Sequence, residues 1–159
     1  MFEMIQENLK VKNLLIELQK FSDLVCKEYL GLDPVEVKFK TMESEALYNI
    51  EKEVIYLNRK NRFNIIKLLS SIAHELEHHW QMFYVANCRS NKSDRFRYEI
   101  ENYSTEVDIN LLQEVEIAAR AFAKVVMLNE FNIEIKEENK VYEQIIKNYI
   151  YENKLICDE

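Results

Sequence analysis

A chain of 159 residues with one glycine, Gly31, and one proline, Pro34, has few of the residues that tight turns demand. Glycine enters the left-handed backbone region at little steric cost, and proline pre-sets the angle that opens many turns. Sandwiches and turn-rich barrels use both repeatedly. Their scarcity points to long helices, few connections and room for only a small sheet. A hydrophobic fraction of 48% and a charged fraction of 31% match a soluble globular protein, and the length fits a single domain over residues 1–159 with a real core.

The periodicity places the elements. Ile5, Leu9, Leu14 or Leu15, Leu18, Phe21 and Val25 recur at helical spacing and predict an N-terminal helix within residues 1–30, stopped by Gly31. The pattern then changes. Val35-Glu36-Val37-Lys38-Phe39 alternates as a half-buried strand does, and Ala46 to Ile50 and Val54 to Asn58 are two further short strands. Residues 35–58 therefore predict a small, mainly antiparallel three-stranded sheet. Three helical segments follow, at 62–87, 104–130 and 137–153, the first capped by Asn61 or Asn64 and the last patterned by Val141, Ile145 and Tyr149. The polar run Asn87 to Asp94 and the aromatic, charged run Arg95 to Tyr103 read as loop or short-helix material beside a cleft. The expected fold class is α+β.

Inside the first of these helices lies His74-Glu75-Leu76-Glu77-His78. Positions four apart on a helix are one turn apart and about 40° round the axis, so two imidazoles so placed can share an ion. Glu75 projects about 100° from His74, which suits a general base acting on metal-activated water. Ile65, Leu69, Ile72, Leu76, Trp80 and Phe83 form the expected core-facing stripe, with both histidines roughly opposite, beside Ser70, Ser71 and Gln81. Two solvated histidines on an exposed face are the alternative. It leaves unexplained why all three histidines of the chain fall between positions 74 and 79.

A catalytic zinc needs a third protein ligand. On the 104–130 helix, Glu116 lies on the line of Ile109, Leu112, Ala119 and Ala123, whereas Glu114 points about 160° away. A carboxylate among apolar and small neighbours needs a partner, and the alanines allow another helix close approach. Glu116 is the expected third ligand; a salt bridge to Arg120 one turn later is the alternative.

A net charge of −7, with no basic stripe interleaved with aromatics, argues against a nucleic-acid-binding surface. The N-terminus has no basic region followed by an apolar core, so no signal peptide is expected. No apolar run reaches the roughly 18–20 residues of a membrane span. Cys26, Cys88 and Cys157 are odd in number and unpaired in spacing, as reduced thiols of a cytoplasmic protein would be.

Taken in order, Ile55-Tyr56-Leu57-Asn58, Ile72-Ala73-His74-Glu75-Leu76-Glu77-His78 and Glu116-Ile117-Ala118-Ala119-Arg120-Ala121-Phe122-Ala123 resemble the ImmA/IrrE-like metallopeptidases. That group joins a strand of the I-x-I-N kind to an A-H-E-L-x-x-H helix and a later E-x-x-A-x-x-F-A helix. The resemblance covers roughly the middle half of the chain. It implies a zincin-like core, with zinc on His74, His78 and Glu116, Glu75 as the base, and a protein or peptide substrate such as a repressor. Members are bacterial or carried on phages and mobile elements. Glu77 stands where glycine is common in that group, His79-Trp80 follows the motif, and no helix-turn-helix is attached. Tyr98, Tyr103 and Arg120 are the candidates to assist the transition state or support the ligands; His79 is expected to pack or to support, not to ligate. The rival expectation is a proteolytically inactive zinc-binding module that grips a regulatory partner.

Overall fold

A computed structural model describes residues 13–155. Helix α1 (Leu14–Val25) buries Leu14, Leu18, Phe21 and Val25 and leaves Leu15 exposed. It continues into a π-helical turn, Cys26–Leu30, which ends at Gly31 with φ 63°. The left-handed conformation there is the helix stop that the lone glycine is suited to make. Ile5 and Leu9, and Cys157, lie outside the described residues.

Strands β1 (Glu36–Lys40), β2 (Ala46–Asn49) and β3 (Val54–Asn58) form a three-stranded sheet in the order β1-β3-β2. The sheet is mixed, not mainly antiparallel. β2 and β3 pair antiparallel with Tyr48 opposite Ile55, while β1 pairs parallel to β3 with Val37 opposite Ile55. After β1 the chain crosses to the far side of β3's position, runs back as β2 and returns between them. Alternation says which side chains face inward; it is silent on which neighbour a strand takes and in which direction. β3 reads as a central strand should, with Val54, Ile55, Leu57 and Asn58 all buried. The Asn58 amide donates to the carbonyls of Met42 and Ser44, and its Oδ1 accepts from Lys60 N, tying down the loop that leads into β2.

Helix α2 (Ile65–Asn87) is the hub, packed against α1, the sheet and the later helices. Asn64 caps it by accepting from Lys67 N at 3.1 Å. Leu69, Ile72 and Leu76 are buried as expected, joined by Leu68 and Ala73. The far end of the expected stripe is different: Phe83 is exposed, Trp80 is half-buried and stacked on Tyr84, and the buried residues there are Glu77 and Gln81. Helix α3 (Asn91–Glu101) occupies the stretch expected to be loop or short helix, started by a Ser90–Ser93 capping box.

The expected 104–130 helix is two pieces, α4 (Val107–Asn110) and α5 (Glu114–Phe131), because Gln113 is extended between them. Gln113 spends its side chain on Ser104, accepting from its N–H at 3.1 Å and donating to its carbonyl at 3.2 Å. Glu99 of α3 then caps the new helix, accepting from the N–H groups of Glu114 and Val115 at 3.0 and 2.9 Å. A carboxylate at a helix N-terminus satisfies orphan donors and the helix dipole together. Ile109 and Leu112 are consequently off the helix and exposed, while Ala119 and Ala123 are buried where α5 packs against α2. Asn132, at φ 55°, ends α5.

Helix α6 (Lys140–Glu152) is capped by Asn139 and buries Tyr142 and Ile146; Val141, expected on the packed face, is exposed. It meets α5 beside the buried Lys124, whose Nζ donates to Glu143 at 2.8 Å and to the Ile135 carbonyl. Lys124, the Glu137 N–H and Lys147 hold the Glu143 carboxyl below its ordinary range against the opposing effect of burial. Its contribution is therefore present above the unfolded carboxylate pKa and is lost as pH falls through the folded one. Glu143→Gln is expected to cost about 2 kcal/mol at neutral pH, because the buried Lys124 ammonium is then left with only Glu137, 3.9 Å away, as a charge partner. Chemical denaturation should show that deficit shrinking as pH falls below the ordinary carboxylate range. No helix among the described residues is long and apolar enough to cross a membrane.

Candidate metal centre

His74 and His78 leave α2 on the face that meets the first turn of α5, and Glu116 comes from that turn. The Nε2 atoms of the two histidines lie 3.1 Å apart. Glu116 Oε2 is 3.4 Å from His74 Nε2 and its Oε1 is 3.2 Å from His78 Nε2. Donors bound tetrahedrally to one ion at about 2.0–2.1 Å lie about 3.3 Å from each other. The two imidazole nitrogens stand at about that spacing and meet different oxygens of Glu116, and one donor atom from each of the three residues lies within 4.8 Å of the other two, close enough for the group to hold a metal ion.

The hydrogen bonds around His78 define what its ring offers. Gln81 Nε2 donates to the Val115 carbonyl at 2.9 Å, and a carbonyl can only accept. Gln81 must therefore turn its Oε1 to His78 Nδ1, 3.0 Å away, making Nδ1 the donor. The neutral ring then carries its lone pair on Nε2, facing a carboxylate that is also an acceptor. Either a proton or a cation has to sit in the gap. With a proton there, Glu116 and Glu75 outweigh burial and raise the His78 pKa to about 9. Burial opposes the charged form of Glu116 too, but the two histidines hold its carboxyl far below the usual range. A cation shared by all three meets the same need without charging an imidazole.

Glu116 is 4% exposed, and a buried carboxylate must be paired. The alternative partner, Arg120, is engaged elsewhere: its guanidinium donates to Glu137 at 3.3 Å. Tyr103 donates its hydroxyl to Glu116 Oε1 at 2.6 Å and accepts from Asn110 at 2.7 Å. Its proton is committed to the carboxylate, so Tyr103 orients Glu116. Tyr98 is 69% exposed on α3 and is brought to none of these groups. Glu114, the acid expected to point away, pairs with Arg95 at 2.7 Å.

Glu75 sits beside the triad on a cleft of about 690 Å³ that reaches His74, His78 and Glu116. Its Oε2 accepts the Tyr48 N–H of β2 at 2.8 Å. Tyr48 also joins its hydroxyl to His79 Nδ1 at 2.6 Å, so one residue pins the strand to the motif helix at two points. His79 thus supports β2 and is not among the convergent donors. Tyr48, Gln81 and Asn110 are contributors that motif reasoning passed over. Only Gln81 left a local signal, three residues after His78 on the same helix. Outer partners of metal-binding histidines commonly contribute 10–100-fold in affinity. Gln81→Met is expected to weaken metal binding by about that factor, read by competition with a chromogenic chelator.

Comparisons of the chain with protein-family models, curated proteins and solved structures find no match.

Proposed function

We propose that this chain is a zinc-dependent peptidase with a zincin-like core, acting on a protein or peptide substrate. The observation that carries the reading is the position of Glu75: one residue from a convergent His74, His78 and Glu116 triad, on a cleft wall, with a carboxylate held by a strand. The resemblance of the two motifs to ImmA/IrrE-like metallopeptidases points the same way, and suggests a regulatory protein such as a repressor as substrate.

His74, His78 and Glu116 would hold the ion; a two-histidine, one-carboxylate set favours zinc and leaves a position for water or substrate. Bound zinc supplies Lewis acidity, drawing the pKa of water down towards about 7 and polarising a carbonyl oxygen. Glu75 does the proton work. The Tyr48 N–H occupies Oε2, so Oε1 is the atom that takes the proton from water and later returns it to the leaving amine. Tyr103 and Gln81 keep Glu116 and His78 in one orientation throughout. β2 is paired on one side only, and the Tyr48 N–H points away from β3. Ala46 shares that outer edge, two residues back, and offers backbone groups to an extended chain by strand addition.

The test is a search for new termini. Zinc-loaded protein is incubated with a mixture of denatured proteins, and fresh N-termini are read by mass spectrometry. Termini that appear with zinc, vanish with a chelator and return on zinc addition support hydrolysis. A fully zinc-loaded protein that yields none refutes it.

A further inference from the structure

Two cavities meet at the catalytic residues, and their chemistry is unlike. Ala46, His74 and Glu75 line both. The larger, of about 690 Å³, runs past Leu47, Ile50, Met82, Ile100 and Val115. Leu47 and Ile50 are 47% and 51% exposed, large apolar side chains left in water on β2 and just after it. The polar groups at its base, Gln81 and Glu116 with the histidines, bond to one another, to Tyr103 and to Val115. What remains for a ligand on that side, apart from the free Oε1 of Glu75 at the proposed metal centre, is apolar contact area together with Ser44 and Thr105.

The smaller cavity, of about 280 Å³, is walled by Lys67, Arg120 and Lys124 and by Glu45 and Glu137. Lys67 is paired with Glu45 at 3.0 Å and Lys124 with Glu143 at 2.8 Å. Arg120 is not used up. It makes one 3.3 Å bond to Glu137 and lies over the Tyr142 ring at 5.6 Å, and its side chain, 35% exposed, lines the cavity with terminal N–H groups to spare. A guanidinium carries five N–H donors in a planar fork shaped for a carboxylate, and one bond to Glu137 leaves most of them free. The spare donors of this cavity therefore belong to a residue that recognises an acid.

We propose that the site selects an extended polypeptide with a bulky apolar side chain on one side of the bond at the metal centre and an aspartate or glutamate on the other. The apolar side chain seats against Leu47 and Ile50 in the larger cavity. The carboxylate seats on Arg120 in the smaller. The placing of the bond rests on the proposed hydrolysis; the two preferences rest on the cavities themselves. β2 supplies the common edge, so both side chains belong to one strand-like segment. Arg120 thereby becomes a specificity residue.

The experiment measures binding apart from cleavage. Full-length zinc-loaded Glu75→Gln is titrated into short fluorescein-labelled peptides of one polar sequence. These carry a leucine and an aspartate close together in either order, the leucine alone, the aspartate alone, or neither, and anisotropy is the readout. Each feature is expected to tighten binding about tenfold, the size that burying one leucine or forming one charge-assisted pair can supply. Arg120→Gln should erase the aspartate advantage and keep that of leucine. Leu47→Ser combined with Ile50→Ser, both at exposed positions, should do the reverse. Equal affinity across the peptides, no binding to any, or advantages indifferent to these changes would overturn the selectivity. Wild-type protein incubated with the same peptides reports separately on hydrolysis: tight, selective binding without cleavage keeps the selectivity and sinks the peptidase.

Discussion

Glu75→Gln is expected to keep about one zinc per chain and lose kcat/KM by about 10²–10⁴-fold, the usual contribution of a positioned general base. The amide has nearly the size of the carboxylate, and its oxygen can still accept the Tyr48 N–H that holds Glu75 at 2.8 Å. What it cannot do near neutral pH is take a proton from water. The variant therefore removes the chemistry and leaves the scaffold. Metal content, thermal unfolding and turnover on one substrate, measured side by side, decide the matter. Retained turnover would remove Glu75 as the base. Loss of zinc together with turnover would show that Glu75 helps to hold the ion.

Glu116→Ala attacks the ion instead. Two imidazoles from one helix remain, and the partner contributed by α5 is gone. Zinc affinity is expected to fall by more than the roughly 10–100-fold that an outer partner costs, since a direct ligand is lost. Linkage provides a second reading of the same loss. A ligand that binds only the folded chain stabilises it by about 2.7 kcal/mol at a hundred times its Kd. Zinc should therefore raise the Tm of the parent steeply and that of the variant little. An unchanged zinc response would remove Glu116 from the ligand set. The structural meaning of that result would be large, because Glu116 is where α2 and α5 meet at the site.

Parts of this were legible along the chain. An H-E-x-x-H pattern on an apolar helical rhythm needs only the 3.6-residue repeat to put two imidazoles one above the other, and Asn64 marks where that helix starts. The three strands lie where short alternating or apolar segments lie. Helical phase points to Glu116 although half of its expected neighbours differ: Ile109 and Leu112 are not on its helix, but Ala119 and Ala123 are, and they suffice to set its face. The break at Gln113 escaped because its cause is tertiary. Glu99, from another helix, satisfies the N–H groups that a continuous helix would have used itself.

Arg120 shows the same limit from the other side. Helical spacing offers it Glu116 one turn away, yet the loop before α6 brings Glu137 to it and the histidines take Glu116. Tyr98 and Tyr103 are equally plausible on paper. The turn between α3 and α4 carries Tyr103 to the carboxylate and leaves Tyr98 in solvent.

By itself, the sequence determined what depends on contacts a few residues apart: the motif helix and its Asn64 cap, the stop at Gly31, the paired histidines and the placing of Glu75 beside them. Local periodicity and backbone sterics act at that range. Only the tertiary structure decided the parallel pairing of β1 with β3, the partner of each charge, the Gln81 bond that fixes the His78 ring and the Tyr48 N–H that holds Glu75. Those are choices among several chemically adequate partners, and what selects one is which elements the packed core brings within about 3 Å.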